Sequence, residues 1–263
     1  MQAAFAAAGV NIPTPFSRMT YDQAIRLYGS DKPDLRLPPM HSVRALFSSE
    51  DISKLGLIAE LPFVAFRIPK CGGLSRKERD ELRAYGTQRG VKVFDDLKHF
   101  EKNFPSQAPA IRQLVEATDE DLVFLAGSPT MSPDTASPKA AVGPNREWAF
   151  YSGAGALRLF AGQKYAARHG LLRPDDFRFL WVLDFPMFEW DAEEKRYVAA
   201  HHPFTAPREE CLDELESNPG AVKAQAYDLV LNGTELGSGS IRIHRKDIQS
   251  RIFAALGMSE EQA

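Results

Sequence analysis

The stretch AYDLVLNGTELGSGSIRIH, residues 226–244, constrains the fold most tightly. It is β-rich, and its central Asn232-Gly233 is a tight-turn dipeptide that would fold it into a hairpin. Glu235 and Arg242 are an odd number of residues apart, so on one regular strand they point to opposite faces. They can share a face only if the backbone bends or bulges between them. Gly237-Ser238-Gly239-Ser240 is where that bend is expected. GSGS is not a phosphate-binding P-loop, because no Gly-Lys-Ser/Thr follows it.

Two further β-rich segments precede this one, FLWVLDFPMFEW and RYVAAHHPFT. DIQSRIFAALG follows it and predicts a helix with Asp247 as cap and Gly257 as stop. Near the start, MTYDQAIRLYG predicts a helix with a Thr20/Gln23 capping box, closed by Gly29. SDKPDLRLPPM then reads as a proline-stiffened extended connector.

From about His41 to Arg178 the texture changes. FVAFRIP, VKVF and DLVFLAG predict strands. SRKERDELRAYG, with a Ser75/Glu78 capping box, and APAIRQLVEAT predict helices. SPTMSPDTASPKAAVGPN reads as a long surface loop, and GALRLFAGQKYAARHG as an amphipathic helix ending at Gly170. The order predicts an α+β chain in which a mixed α/β domain, residues 41–178, is inserted into another whose parts are residues 1–40 and 179–263.

Composition limits the function classes. The 263 residues are 44% hydrophobic and 25% charged, an ordinary globular mixture. No apolar run approaches the roughly 20 residues of a membrane helix. MQAAFAAAGV lacks the basic region of a signal peptide. The two cysteines, Cys71 and Cys211, point to a reducing compartment and belong to no C-x-x-C pair. The net charge of −3 announces no nucleic-acid partner globally. Arg76, Lys77, Arg79 and Arg83 are interleaved with Glu78, Asp80 and Glu81, which reads as a solvated helix face.

HHPFTAP, residues 201–207, poses a chemical question, because adjacent imidazoles suit a metal, a proton relay or a substrate pocket. On a strand His201 and His202 point apart, and no cysteine or acid lies at ligand spacing, so a metal is disfavoured. Pro203 ends strand pairing and leaves the pair at a sheet end, where pockets open.

FSRMTYDQAIRLYGSDKPDLR, FLWVLDFPMFEWD, HHPFTAP and AYDLVLNGTELGSGSIRIH occur in this order and at this kind of spacing in bacterial-type aspartyl-tRNA synthetases. The chain resembles that class II family on both flanks. Its middle resembles the insertion (GAD-type) domain that these enzymes share with a subunit of the glutamyl-tRNA amidotransferase. The resemblance implies a class II antiparallel-sheet catalytic domain, interrupted by the insertion and incomplete at motif 3. It also implies a cytoplasmic aspartate–tRNA ligase that uses ATP and Mg²⁺, with L-aspartate and tRNA(Asp) as substrates, and a homodimeric parent.

Residue by residue, Arg242 matches the arginine that binds the aspartate side chain, and His201, with His202 beside it, matches aspartate recognition. Glu235 matches the acid that meets ATP through Mg²⁺, with Asp228 a weaker candidate whose plainer reading is a satisfied strand carboxylate. Gly237 and Gly239 would let backbone approach the nucleotide. Arg158, Lys164 and Arg168 could face a tRNA backbone. No counterpart of motifs 1, 2 or 3 is present, so the chain alone is expected to be inactive. A stand-alone tRNA-contacting module or a truncated paralogue is the alternative. Thr234 replaces a usual aromatic residue. Ser238 replaces a glycine, which would cost about 1 kcal/mol if its φ were positive.

Overall fold

The computed structural model describes residues 1–130, 145–191 and 193–258. In chain order the elements are α1 (Gln2–Ala7), β1 (Ser17–Thr20), α2 (Tyr21–Tyr28), β2 (His41–Ser42), α3 (Ser49–Lys54), β3 (Phe63–Ile68), α4 (Arg76–Thr87), β4 (Lys92–Phe94), α5 (Leu97–Asn103) and α6 (Gln107–Leu114). They continue with β5 (Leu122–Gly127), α7 (Asn145–His169), β6 (Phe179–Leu183), β7 (Phe188–Asp191), β8 (Arg196–Ala199), β9 (Ala226–Leu231), β10 (Thr234–Ser240) and α8 (Lys246–Ala255). The chain divides into two compact units: Met1–Gln23 with Phe179–Ala263, and Ala24–Arg178. The first division falls inside α2.

The flanking unit is built on a four-stranded sheet in the order β1-β6-β9-β10. All its pairings are antiparallel except β1 with β6. That exception closes only because a whole second unit lies between the two strands in sequence, since parallel neighbours need a long crossover. β7 and β8 form a separate hairpin. Phe16 stacks on Phe179 at 4.4 Å, and Phe5 meets the same ring edge-on at 5.3 Å. The Thr20/Gln23 capping box forms as expected: the Thr20 N–H donates to Gln23 Oε1 at 3.0 Å, and the Gln23 N–H to Thr20 Oγ1 at 3.2 Å. Gly257 closes α8 at φ +69°. Asp247 is not its cap; Arg245 holds that position. The carboxylate instead sits in the first turn and is bound by the Arg245 guanidinium, at 3.2 and 2.5 Å.

The middle unit is a four-stranded antiparallel sheet, β2-β3-β5-β4. β5 is buried along its whole length and β3 at every position but Arg67, which explains why FVAFRI and LVFLAG read as continuous apolar runs. On one face Phe63, Ala65, Val123 and Leu125 pack with Ile52, Leu97, Phe100 and Ile111 from α3, α5 and α6. On the other, Phe66 and Phe124 meet at 5.2 Å, and α7 packs on β3. Cys71 is buried there, and burial pushes its thiol up to about 11. Most of the long loop expected at residues 128–145 lies outside the described residues.

The charged helix α4 is less solvated than its sequence suggests. Arg79 donates to the carbonyls of Gly72, Leu74 and Asp95, at 2.7, 3.1 and 2.6 Å. Arg83 binds both Asp80 and the buried Asp95. Charge interleaving alone could not reveal that two of its basic residues face the protein. The Ser75/Glu78 box forms, and the Ser75 N–H, Arg168 and the Ser75 hydroxyl hold the Glu78 carboxyl down at about 2. A depressed acid stabilises the fold above its ordinary pKa of about 4.5 and loses that contribution as pH falls toward 2. Urea denaturation between pH 2.5 and 6 should therefore show a decline below about 4.5 that flattens in Glu78→Gln. An unchanged profile in that variant would refute the assignment.

Residues 30–40 are not a plain extended connector. They fold onto α7, where Arg158 is 1% exposed. Its guanidinium donates to the carbonyls of Asp34, Leu37 and Pro38 at 2.9, 2.7 and 2.6 Å. α7 passes so close that a Cβ on Gly155 would lie 2.3 Å from the Tyr28 carbonyl oxygen.

Candidate active site

The β9–β10 hairpin turns on Asn232 and Gly233, both left-handed at φ +52° and +86°. Those are the signs a two-residue type I′ turn requires. The bulge that the parity of Glu235 and Arg242 demands is present too. The register runs Glu235↔Val230 and then Gly237↔Leu229, so Leu236 is the extra residue. It lies just before GSGS rather than within it. Beyond it the pairing is regular: Ser238↔Asp228, Gly239↔Tyr227, Ser240↔Ala226. The Ile241 N–H donating to the Gln225 carbonyl at 2.9 Å carries it one residue further. Directly opposed residues share a face. Glu235, Ser238, Ser240 and Arg242 therefore lie on the face that carries Asp228. The hairpin and the bulge were competing readings of one stretch; the structure uses both.

The glycine pattern has a local cause. Neither Gly237, Ser238 nor Gly239 has positive φ, so Ser238 carries no strain for its β-carbon. A Cβ on Gly239 would lie 2.6 Å from the Tyr227 hydroxyl, because the cross-strand ring covers that residue. Nothing lies within 4 Å of a Cβ on Gly237. Asp228 is buried at 8% exposure, and Glu235 and Arg242 are exposed.

HHPFTAP is not a strand at its histidines. β8 ends at Ala199, the chain bends at Ala200 and His201, and it turns at Pro203 and Phe204. The opposite-face argument therefore does not govern the histidines. The His202 carbonyl accepts from the Thr205 N–H at 2.9 Å. Its Nδ1 accepts from the Phe204 N–H at 3.2 Å, which commits one ring nitrogen to the turn. The His201 ring stands edge-on to buried Phe185 at 5.0 Å. From Phe204 the chain runs alongside the end of GSGSIRIH. The Ala206 N–H donates to the Ile241 carbonyl at 2.8 Å and the Ile243 N–H to the Phe204 carbonyl at 2.9 Å, with Thr205 bridged to Arg242. Backbone pairing thus joins the two motifs side by side.

Some residues of this region gave no signal in sequence. Arg208 forms an ion pair with Asp184, and Lys223 binds Asp22 at 3.2 Å. Asp184 adopts φ +60°, a conformation aspartate tolerates better than most residues. No spacing rule links these pairs, because the chain crossings that create them are tertiary.

Of the proposed RNA-facing cations, Arg158 is corrected outright. It is a core group, committed to three carbonyls and lying 4.8 Å from the Tyr28 ring centre. Lys164 and Arg168 are on the surface, bound to Glu81 and Glu78 respectively. Among the described residues, no three His, Cys, Asp or Glu side chains gather as a metal nest.

The sequence from residue 2 to 263 matches the family described as tRNA synthetases class II (D, K and N). The chain belongs to that family. Similar proteins include an aspartate–tRNA(Asp/Asn) ligase of Acidobacterium capsulatum, 44% identical over 100% of this chain and 45% of the relative. A ligase of the same name from Syntrophomonas wolfei is 39% identical over 98% of this chain and 43% of its own. An aspartate–tRNA ligase of Halalkalibacterium halodurans is 39% identical over 97% and 42%. This synthetase chain therefore spans under half the length of the curated relatives it matches.

Proposed function

We propose that the chain is part of an aspartate–tRNA ligase and contributes one side of its aspartate and ATP site. Residues 41–178, most of the middle unit, are then the insertion domain, and residues 1–40 and 179–263 part of the catalytic domain. The aspartate α-carboxylate attacks the α-phosphorus of ATP, pyrophosphate leaves, and aspartyl-adenylate forms. A hydroxyl at the 3′ end of tRNA(Asp) then attacks the acyl carbon and AMP leaves. Such chemistry rests on positioning and charge stabilisation more than on covalent work by a side chain.

The reading is supported above all by the bulge at Leu236, which aligns Glu235 with Arg242 beside HHPFTAP. Arg242 would bind both oxygens of the substrate's side-chain carboxylate in one plane, as a guanidinium does best. His201 would donate a further hydrogen bond. His202, with its Nδ1 held by the turn, has only Nε2 to offer.

Glu235, with Asp228 on its face, would hold the magnesium of a bound nucleotide. Magnesium takes carboxylate and phosphate oxygens together, which suits an acid beside a triphosphate. The metal would supply charge neutralisation at the phosphates. Lys164 and Arg168, on the surface of α7, would contact the tRNA backbone, giving up their pairs with Glu81 and Glu78 to do so. The ligase would act in the cytoplasm as a homodimer. Among the described residues no helix is long and apolar enough to cross a membrane.

The experiment is aspartate-dependent ATP–pyrophosphate exchange. A full-length synthetase carrying this sequence should catalyse it, and the 263-residue chain by itself should not. Exchange supported by another amino acid and not by aspartate would overturn the assignment.

A further inference from the structure

The His201 ring meets an aromatic neighbour, Phe185, that is tethered from several directions. Phe185 is 1% exposed and follows Asp184, whose left-handed φ of +60° turns the chain sharply out of β6. Its backbone is fixed by the Ala224 N–H, which donates to the Phe185 carbonyl at 2.7 Å. Its ring is met by Tyr21 at 5.1 Å, inclined 48°, and by His201 at 5.0 Å, inclined 82°.

The loop that carries His201 is held at both ends on the same short segment. The Ala200 N–H donates to the Met187 carbonyl at 3.0 Å, and Arg208, just past HHPFTAP, pairs with Asp184. The Arg208 N–H also donates to the Lys223 carbonyl at 2.8 Å. His201 itself is exposed and sits in a bend, so the regular ladder of a strand does not fix its side chain. An exposed histidine samples several χ1 wells unless a neighbour selects one. The perpendicular Phe185 ring, itself buried and met by Tyr21, is that neighbour.

We infer that Phe185 is a positioning residue for the aspartate site: its ring selects the His201 rotamer that meets the substrate. The inference rests on the proposed role of His201. Phe185 touches no substrate and acts only through the imidazole. Its loss should therefore weaken aspartate binding in ground and transition state alike, raising KM and sparing kcat. An edge-to-face aromatic pair sets the scale at about 2- to 10-fold in KM.

The test is a double-mutant cycle in a full-length synthetase carrying this sequence, read by aspartate-dependent ATP–pyrophosphate exchange. Phe185→Leu should raise KM for aspartate by that factor with little change in kcat, and should add nothing in a His201→Ala background. A thermal melt checks that each variant is folded, and Phe185→Met replaces Phe185→Leu if the latter does not accumulate. An equal rise in KM with and without His201, or no rise in a folded variant while His201→Ala does raise it, overturns the positioning role alone. An unchanged KM in His201→Ala overturns the reading of His201 on which the inference stands.

Discussion

Arg242→Ala, in a full-length synthetase carrying this sequence, is expected to lower kcat/KM for aspartate by roughly 30- to 3,000-fold, the range that follows from losing one partner of a bonded charge pair. Arg242 lies two residues past the end of β10, on the Glu235 side by alternation, at the point where Thr205 bridges to it. A carboxylate arriving there gains a planar cation with parallel donors. Alanine removes the charge and leaves the substrate carboxylate desolvated without compensation. Arg242→Lys should fall between the two, because a lysine supplies a point charge without the planar fork. Choice between aspartate and asparagine should narrow in both variants, since the cation is what makes the charged substrate preferable. Steady-state exchange kinetics with both amino acids check this. Near-normal kcat/KM in folded Arg242→Ala would remove Arg242 from the site.

The second large effect concerns stability. Arg158→Met should destabilise the middle unit by about 3–5 kcal/mol, because the loss strands several buried carbonyls at once. Burial pushes this guanidinium down to about 10, so it remains charged at neutral pH, and the cost of placing it in the core is offset by its bonds to Asp34, Leu37 and Pro38. Methionine fills part of the volume but donates nothing. A thermal melt of the chain should move down by about 10 °C. A shift of less than about 2 °C, which corresponds to under 1 kcal/mol, would mean that residues 30–40 are held by other contacts.

The two residues also show where sequence reasoning reached and where it stopped. Local chemistry was readable. Thr20/Gln23 and Ser75/Glu78 cap helices, Gly29, Gly170 and Gly257 take positive φ, and Asn232-Gly233 turns a hairpin. The parity of Glu235 and Arg242 called for an irregularity, and one exists at Leu236. Each of these is fixed by residues within one turn or one hairpin.

Tertiary choices were not readable. GALRLFAGQKYAARHG shows three cations at helical spacing, but only packing against residues 30–40 sends Arg158 inward while Lys164 and Arg168 stay outside. The bend at His201 ends a strand that composition alone would have continued. Ser48 and Asp51, by contrast, form a local capping box ahead of α3 on an S-x-x-D spacing. Gly239 is small because Tyr227 lies across it, a cross-strand cause that the glycine by itself does not announce.

Arg242, Glu235 and His201 are proposed to serve one aspartyl-adenylate site. A crystal structure of a full-length synthetase carrying this sequence, bound to a non-hydrolysable aspartyl-adenylate analogue, tests this assignment most directly. The Arg242 guanidinium is expected on the analogue's side-chain carboxylate, His201 within hydrogen-bonding reach of the aspartyl moiety, and Glu235 toward the phosphate. An analogue bound with Arg242 turned away from that carboxylate, or seated on another surface, would contradict it.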